Sequence, residues 1–506
     1  MKKLFLSICV LIFSASVIFS QTNPPFITDS LDNYVLRGMK NWQIPGMAVL
    51  IVKDGKVVLS KGYGVKELGK DDLVNENTLF LIGSNTKAFT GTALALLEKE
   101  GKLKLDDKVI KYLPDLKMKD PWVTKELNLT DIVTHRMGYE TFQGDFMFWA
   151  SDLTSDEVIQ KLGETTPKYD FRTKYGYTNS GYAIAGKVIQ KVSGLSWSDF
   201  VKEKIFKPLK MDRTVALSVD FSKSDNVAKP HTMANDKLIV LPFENIDNMA
   251  PCGSIGSSVS ELSHWLIAQL DSGRFDGETK IPFEVITRTR KPETIIGRVR
   301  RLFNEGHYNL YGLGWALTDY EGTEIISHTG AVNGFLSSVT LLPEENLGIA
   351  VLTNSDANSL FEMLKWEIID SYLGLPYRNY DNIVFKRSIA RESQTSGMIA
   401  QWQDSVKMNI KPTLPLSDFA GKYKHDVYGF AELEVKGNSL LLKLEHHSKL
   451  TAKLEYIGNN RFLCTYSDPT YGIKVFPFEV EDGKVKSFTL TVTEGLDFQP
   501  YKFVKQ

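Results

Sequence analysis

Apolar positions follow the period of a helix near the start of the chain and the period of a strand soon afterwards. Helical spacing covers Ile27 to Trp42, and Ile44-Pro45-Gly46 ends it. Two β-rich runs follow, Met47 to Lys53 and Lys56 to Tyr63, and Asp54-Gly55 separates them. An Asp-Gly pair between two such runs is a strong hairpin signal. The pattern therefore predicts a helix followed by a β-hairpin.

The middle of the chain favours helices, and a later part favours strands again. Helical spacing recurs in Thr130 to His135 and in Gly181 to Val192. Strand-like runs return in four segments: Gly312 to Leu317, Glu324 to His328, Phe335 to Leu342 and Leu347 to Thr353. We expect the early hairpin and these late strands to share one sheet, with helices packed against it.

The character of the sequence changes beyond Tyr372. A polar, helix-like stretch contains a candidate linker helix at Arg387 to Gln403, and Lys411-Pro412-Thr413-Leu414-Pro415 indicates a boundary. Short alternating strands then fill Phe419 to Val504, as in a small antiparallel barrel or meander. The predicted organisation is a main domain at 21–375, a helical linker at 376–412 and a β-rich domain at 413–506, all preceded by a leader at 1–20.

The leader has the features of a secretory signal. Lys2 and Lys3 precede an apolar run that is short for a membrane-spanning helix, and Ser20 lies just before a polar segment. Cleavage after Ser20 would export the chain to the periplasm or medium without a stable membrane anchor. Only Cys252 and Cys464 would then remain, so no disulfide framework is expected.

Length and charge narrow the class of protein. The chain has 506 residues, which exceeds what one core normally organises and predicts two or more domains. Charged residues make up 24% of it and the formal net charge is -1. Without a basic excess, nucleic acid is not an expected partner.

The main chemical motif is a serine three residues before a lysine, at the start of a predicted helix. Ser84 and Lys87 would lie on the same face of that helix, and Ser84 would lie near N–H groups that stabilise an oxyanion. A buried lysine with a lowered pKa could deprotonate the serine. The alternative is a capping serine followed by a solvated lysine, and the spacing alone does not exclude it.

Two further polar clusters follow this motif. Tyr177 and Asn179 offer a phenol that can exchange protons and an amide that can bind a substrate amide at both ends. The Tyr-x-Asn spacing recurs at Tyr377 and Tyr380, so alone it also fits a turn with a packed aromatic. The third cluster, Ser327-His328-Thr329-Gly330-Ala331, lies at the end of a predicted strand, and its glycine permits close approach of another backbone.

Taken together in this order, the three clusters resemble those of the penicillin-recognising serine hydrolases, especially class C β-lactamases and D-alanyl-D-alanine carboxypeptidases. The resemblance covers roughly residues 28 to 372 and includes Ile44-Pro45-Gly46 and the Gly253 to Ser258 segment. It implies an α+β fold, an α/β/α sandwich with an antiparallel sheet and a helical subdomain. The C-terminal part resembles the β-rich, barrel-like module often appended to secreted members.

The resemblance also implies a role for each site residue. Ser84 matches the acylated nucleophile, Lys87 its proton acceptor and Tyr177 a second acid-base group. Substrate binding is implied for Asn179, His328, Thr329 and Gly330, and an oxyanion hole for the backbone N–H groups of Ser84 and Ala331. The implied substrate is a small peptide, amide or ester, and neither a metal nor a cofactor is required.

One departure from the family pattern bears on the substrate. Many β-lactamases carry lysine where this chain has His328, and histidine is cationic only when its pKa is raised. We therefore expect peptide or ester substrates, and recognition of anionic substrates that varies with pH where imidazole titrates. A β-lactamase and a penicillin-binding sensor without turnover remain as alternatives.

Three other features that contain histidine or cysteine are interpreted as having no catalytic role. His135 is expected to satisfy core or loop hydrogen bonds, and Cys252 to be a small packed residue. The pair His446-His447 is expected on the surface.

Overall fold

The computed structural model describes residues 23–299, 301 and 303–506, so the predicted signal peptide lies outside the described residues. The helices, in chain order, are α1 Leu31–Trp42, α2 Thr86–Lys99, α3 Pro121–Glu126, α4 Leu129–Val133, α5 Asp145–Phe148, α6 Ser155–Glu164, α7 Ser180–Ser193, α8 Trp197–Val201, α9 Ser218–Phe221, α10 Ala250–Gly253, α11 Val259–Leu270, α12 Phe283–Thr289, α13 Leu360–Tyr372, α14 Tyr380–Lys407 and α15 Leu416–Phe419.

The strands fall into a first group that belongs mainly to one sheet and a second group that forms a barrel. The first group is β1 Gly46–Lys53, β2 Lys56–Gly64, β3 Phe80–Leu81, β4 His231–Ala234, β5 Lys237–Val240, β6 Gly256–Ser257, β7 Arg274–Phe275, β8 Glu278–Thr279, β9 Thr294–Arg298, β10 Tyr308–Tyr311, β11 Ala316–Tyr320, β12 Thr323–Val332, β13 Phe335–Leu342 and β14 Leu347–Thr353. The second group is β15 Gly421–His425, β16 Gly429–Lys436, β17 Ser439–Leu444, β18 Thr451–Tyr456, β19 Arg461–Tyr466, β20 Ile473–Glu481, β21 Lys484–Leu490 and β22 Tyr501–Lys505.

The main sheet has eight strands in the order β2-β1-β14-β13-β12-β11-β10-β9, and every neighbouring pair is antiparallel. The predicted Asp54-Gly55 turn joins β1 to β2. Strand β1 then pairs with β14, Met47 opposite Thr353 and Lys53 opposite Leu347. The expectation that the early hairpin and the late strands share one sheet is therefore confirmed.

Helices cover both faces of this sheet. Alternate side chains of β1 point to opposite faces, as the strand period requires. Ala48, Leu50 and Val52 belong to the core shared with α2 and α11, whereas Val49 and Ile51 belong to the core shared with α1 and α13. This is the predicted α/β/α sandwich, and α3 to α8 form the helical subdomain beside it.

Helix α2 lies at the centre of the main domain. Its side chains from Thr86 to Leu97 are all buried. Phe89 stacks on Trp265 of α11 with ring centroids 4.2 Å apart, and Trp197 of α8 donates a hydrogen bond to Thr90 at 2.9 Å. Contacts on all sides fix the position of this helix, and with it the residues at its start.

The predicted strand at Gly312 to Leu317 is wrong in its bounds. Residues 312–315 instead form the turn between β10 and β11. Gly314 has φ +81°, and a Cβ there would lie 2.3 Å from the backbone oxygen of Lys87. The turn must pack directly against the first turn of α2, and this close approach overrides the local strand propensity.

The C-terminal domain is a closed antiparallel barrel of eight strands, β15 to β22, in which β22 pairs back to β15. Buried aromatic rings fill its interior, among them Tyr423, Phe462, Phe476, Phe488 and Phe503. The β-rich prediction is confirmed. Helix α14 connects the two domains and spans the segment predicted as the linker helix.

The barrel packs against the helical subdomain through aromatic and polar contacts. Phe146 of α5 stacks on Tyr428 and His447 of the barrel, with centroids 5.5 Å and 5.4 Å apart. His447 is 3% exposed and bonds Tyr428 and the Trp149 carbonyl, so its predicted surface location is wrong. Phe146 and Trp149 of the main domain bury His447, and the local sequence gives no sign of these contacts.

Among the helices that the structure describes, none is long and apolar enough to cross a membrane.

Candidate active site

Ser84 lies in a short 3-10 turn, Gly83–Asn85, that leads into α2. Asn85 fastens this turn to the sheet, because its amide donates hydrogen bonds to Ser337 Oγ at 2.8 Å and to Ile82 O at 3.2 Å. The Ser84 side chain is partly exposed, whereas its neighbours in the turn are buried. The turn thus presents a serine hydroxyl to solvent from a rigid base.

Lys87 lies one helical turn further on and is fully buried. Its Nζ atom donates hydrogen bonds to Ser84 Oγ at 3.0 Å, Asn179 Oδ1 at 2.6 Å and the Cys252 carbonyl at 2.9 Å. Burial lowers the pKa of Lys87 to about 8. A fraction of the lysine is therefore neutral near pH 7 and can accept the proton of Ser84.

The aromatic ring of Tyr177 packs against the end of the Lys87 side chain. Its ring centroid is 4.7 Å from Lys87 Nζ, and the ring packs against His135 with centroids 4.3 Å apart. Burial raises the pKa of Tyr177 well above its usual value, although a hydrogen bond with Ser84 opposes the shift. The phenol is thus protonated and placed to donate a proton near the serine.

Asn179 precedes α7 and lies between the lysine and an acid. Its Oδ1 atom accepts from Lys87, and its Nδ2 atom donates to Asp145 Oδ2 at 2.6 Å. Both ends of the amide therefore have protein partners. The predicted grip on a substrate amide would require one of these bonds to open.

His328 lines the cavity but is only 7% exposed. Its Nδ1 atom donates to the Thr329 carbonyl at 2.5 Å, which leaves Nε2 to accept from Tyr311 O–H at 2.8 Å. Burial, and then the charge of Lys87, lower the pKa of His328 to about 3. The expectation of a titration near neutral pH is therefore wrong, because burial keeps this imidazole uncharged.

The third cluster lies inside β12, which continues to Val332 rather than ending near His328. Thr329 and Ala331 are exposed on one face of the strand, and Gly330 is buried on the other. A Cβ on Gly330 would lie 1.9 Å from Ile82 O, and one on Gly83 would lie 2.7 Å from Ala331 N. The serine turn and β12 therefore touch, which brings the two predicted oxyanion-hole backbones side by side.

These residues open onto a cavity of about 1060 Å³. Its walls include Ser84, Tyr177 and Thr329 from the main domain and Thr470 and Leu496 from the barrel. Asn333 joins the two domains at the rim, because it accepts from Trp149 Nε1 at 2.9 Å and donates to Thr470 Oγ1 at 3.2 Å. The barrel thus forms part of the wall of the cavity.

The remaining residues singled out in the sequence have structural positions. His135 is fully buried and accepts from the Thr178 N–H at 3.0 Å, which supports the loop that carries Tyr177. Cys252 is 1% exposed and burial raises its thiol pKa to about 11, so it is packed and unreactive. No cluster of His, Cys, Asp or Glu side chains suited to a metal ion occurs within the described ranges.

Sequence reasoning missed Asp145 and Asp497, which lie behind Asn179. Asp145 is 2% exposed, and burial and then the charge of Asp497 raise its pKa well above the usual value. Asp497 comes from the barrel, between β21 and β22. No local pattern marks either residue, since each has its place through contacts distant in sequence.

Comparisons with known proteins identify relatives of the chain. The chain is 26% identical over 467 residues to the Unguisins hydrolase ungD of Aspergillus violaceofuscus, covering 85% of this chain and 82% of that protein. It is 28% identical over 354 residues to Protein flp of Staphylococcus aureus, covering 67% of this chain and 66%, just under two thirds, of that protein.

A solved structure shows the same fold over nearly the whole chain. It is described as the octameric penicillin-binding protein homologue from Pyrococcus abyssi, with a TM-score of 0.60, 22% identity, and coverage of 94% of this chain and 99% of that one. Residues 406–505 match a domain of unknown function, DUF3471. Residues 31–373, more than half of the chain, match the Beta-lactamase family, and the protein belongs to that family.

Proposed function

We propose that the protein is an exported serine hydrolase that cleaves peptide, amide or ester bonds through an acyl-enzyme on Ser84. The observation that carries this proposal is the 3.0 Å hydrogen bond from Lys87 Nζ to Ser84 Oγ, in a cavity large enough for a small substrate. The similarity to a relative named as a hydrolase supports it.

The proposed acylation step uses groups that already touch. Neutral Lys87 takes the proton of Ser84 as Oγ attacks the substrate carbonyl, and the backbone N–H groups of Ser84 and Ala331 bind the oxyanion. Tyr177 donates its proton to the leaving amine or alcohol and is reprotonated by the Lys87 ammonium. Water then attacks the acyl carbon and transfers a proton to Lys87, which passes it to Ser84 Oγ as the bond between the acyl carbon and Oγ breaks and the acid is released.

The environment of the site favours substrates without an essential negative charge. His328 is neutral and uses both ring nitrogens within the protein, so it offers no cation to a carboxylate. This supports peptidase, amidase or esterase activity over β-lactamase activity. The sensor alternative has less support, because Ser84 faces the cavity with its proton acceptor already in contact.

A substrate screen tests the proposal. The mature chain would be incubated with D-amino-acid amides, p-nitrophenyl esters and a chromogenic cephalosporin, with Ser84→Ala as the inactive control. We expect turnover of an amide or ester above that of the control, and slower turnover of the cephalosporin. Stoichiometric acylation without turnover would instead support the sensor.

Export is tested separately by determining the N-terminus of the protein recovered from the periplasm or medium. The expected first residue is Gln21, and a cell-retained chain that still begins at Met1 would contradict export.

A further inference from the structure

Asp145 holds the far end of the hydrogen-bonded chain that begins at the serine. The chain runs from Ser84 Oγ to Lys87 Nζ, to the Asn179 amide and then to Asp145 Oδ2. Asp145 Oδ2 accepts the hydrogen bond from Asn179 Nδ2, and this bond fixes which end of the Asn179 amide faces Asp145. The amide oxygen must then face Lys87, and that orientation is the one that binds the lysine.

The barrel holds the segment that carries Asp145. Asp497 Oδ2 accepts hydrogen bonds from the backbone N–H groups of Gly144 at 3.0 Å and Phe146 at 3.2 Å, the two neighbours of Asp145. Asp497 is itself 2% exposed and is fixed by the Tyr501 hydroxyl and the Gln499 N–H. A residue of the C-terminal domain thus anchors both sides of Asp145.

We propose that Asp145 and Asp497 form a positioning relay, through which the docked barrel holds Asn179 and Lys87 in the geometry needed for acylation of Ser84. The inference rests on the proposed function and assigns a role to the barrel within it. We assign both as positioning residues, because Asp145 lines the cavity with its Oδ2 atom bound to Asn179, and Asp497 is not among the residues that line it.

The hydrogen-bonded chain explains why these two contacts matter more than others in the same interface. Without the Asp145 acceptor, the Asn179 amide can rotate and turn its N–H groups toward the Lys87 ammonium, which repels them. Without Asp497, the turn at Gly144–Phe146 loses both anchors and Asp145 is free to move. A displacement of about 1 Å at a catalytic group costs on the order of a hundredfold in rate.

Lys161 provides a matched control. It lies on α6 and donates to the Val427 and Tyr428 carbonyls of the barrel at 2.8 Å and 3.1 Å. Replacing Lys161 weakens the same interface without removing any of the hydrogen bonds that connect Asp497 to Ser84.

The rate at which a fluorophosphonate modifies Ser84 in the full-length protein tests the relay. The probe would be applied to wild type, Asp497→Ala, Asp145→Ala, Asp145→Asn and Lys161→Met, and saturation curves would separate its reversible binding from the phosphonylation step, in which Ser84 Oγ displaces fluoride. We expect Asp497→Ala and Asp145→Ala to lower the saturating rate by about tenfold or more, with binding unchanged. Asp145→Asn keeps an acceptor for Asn179 and should stay within about threefold of wild type, and Lys161→Met within about twofold.

Circular dichroism and thermal melting would establish that the variants fold. If Asp145→Ala does not fold, Asp145→Asn remains as the variant of this position whose rate can be compared with that of wild type. Equal losses in Asp497→Ala and Lys161→Met, or a wild-type rate in either alanine variant of the relay, would overturn the inference. A wild-type protein that the probe does not modify at Ser84 would instead refute the proposed function.

Discussion

Lys87 Nζ lies 3.0 Å from Ser84 Oγ, and the lysine is fully buried while the serine opens onto the cavity. This relationship places an amine with a lowered pKa against a serine hydroxyl that lines the cavity. It arises from three-residue spacing across the start of α2. The proposed acyl transfer depends on this pair more than on any other contact.

Replacing Lys87 with methionine should slow acylation by about a hundredfold or more, because the proton acceptor is removed while the side-chain length is kept. Burst kinetics with a p-nitrophenyl ester measure the acylation rate. Circular dichroism of the Lys87→Met protein is the control for folding. A folded variant that acylates at the wild-type rate would show that lysine is not the base.

The acylation rate should rise with pH and level off above about pH 8. Lys87 accepts a proton only when neutral, and its pKa is lowered to about 8, so the active fraction grows as pH passes through that value. Measurement of kcat/KM for a neutral ester from pH 5.5 to 9.5 would show this rise and the plateau above it. A profile that is flat over this range, or that falls with rising pH, would contradict the assignment.

A substrate carboxylate and its methyl ester should show parallel pH profiles between pH 5 and 8. The pKa of His328 is lowered to about 3, so the imidazole remains neutral over this range and its charge does not vary. A growing preference for the carboxylate toward pH 5 would show that His328 becomes protonated. As a comparison, His328→Lys adds a charge and should raise the carboxylate-to-ester ratio of kcat/KM by up to ~10-fold.

Leu496→Trp should narrow the cavity from the barrel side and select against bulky substrates. Leu496 lines the cavity, so a larger side chain there reduces the space left for the acyl or leaving group. We expect kcat/KM for a bulky ester to fall by about tenfold relative to p-nitrophenyl acetate. Val435→Trp, at an exposed barrel position that does not line the cavity, is the control, and equal ratios in the two variants would contradict a barrel contribution.

The parts of the fold that could be predicted depend on contacts close in sequence. The Asp54-Gly55 hairpin and the start of α2 follow from turn chemistry and helical period, and both are present. Strand β12 was predicted too short, because the close approach of Ile82 to Gly330 that shapes its end comes from another element. Local patterns carry no information on such an approach.

The candidate site shows the same division. The spacing of Ser84 and Lys87 places them on one helix face but does not by itself establish a catalytic pair. Tyr177, Asn179 and His328 are visible as polar clusters, and only the family resemblance assigns them roles. Asp497 could not be found, because the Gly144 N–H that it binds lies 353 residues away. The low pKa of His328 also escaped prediction, because it depends on burial and on the charge of Lys87, which is distant in sequence.

The most direct test of the central claim is the mass of the modified peptide after reaction with a fluorophosphonate. The proposal predicts one adduct per chain, located on Ser84, together with loss of both labelling and turnover in Ser84→Ala. An adduct on a different residue, or a Ser84→Ala protein that retains near wild-type turnover, would contradict it.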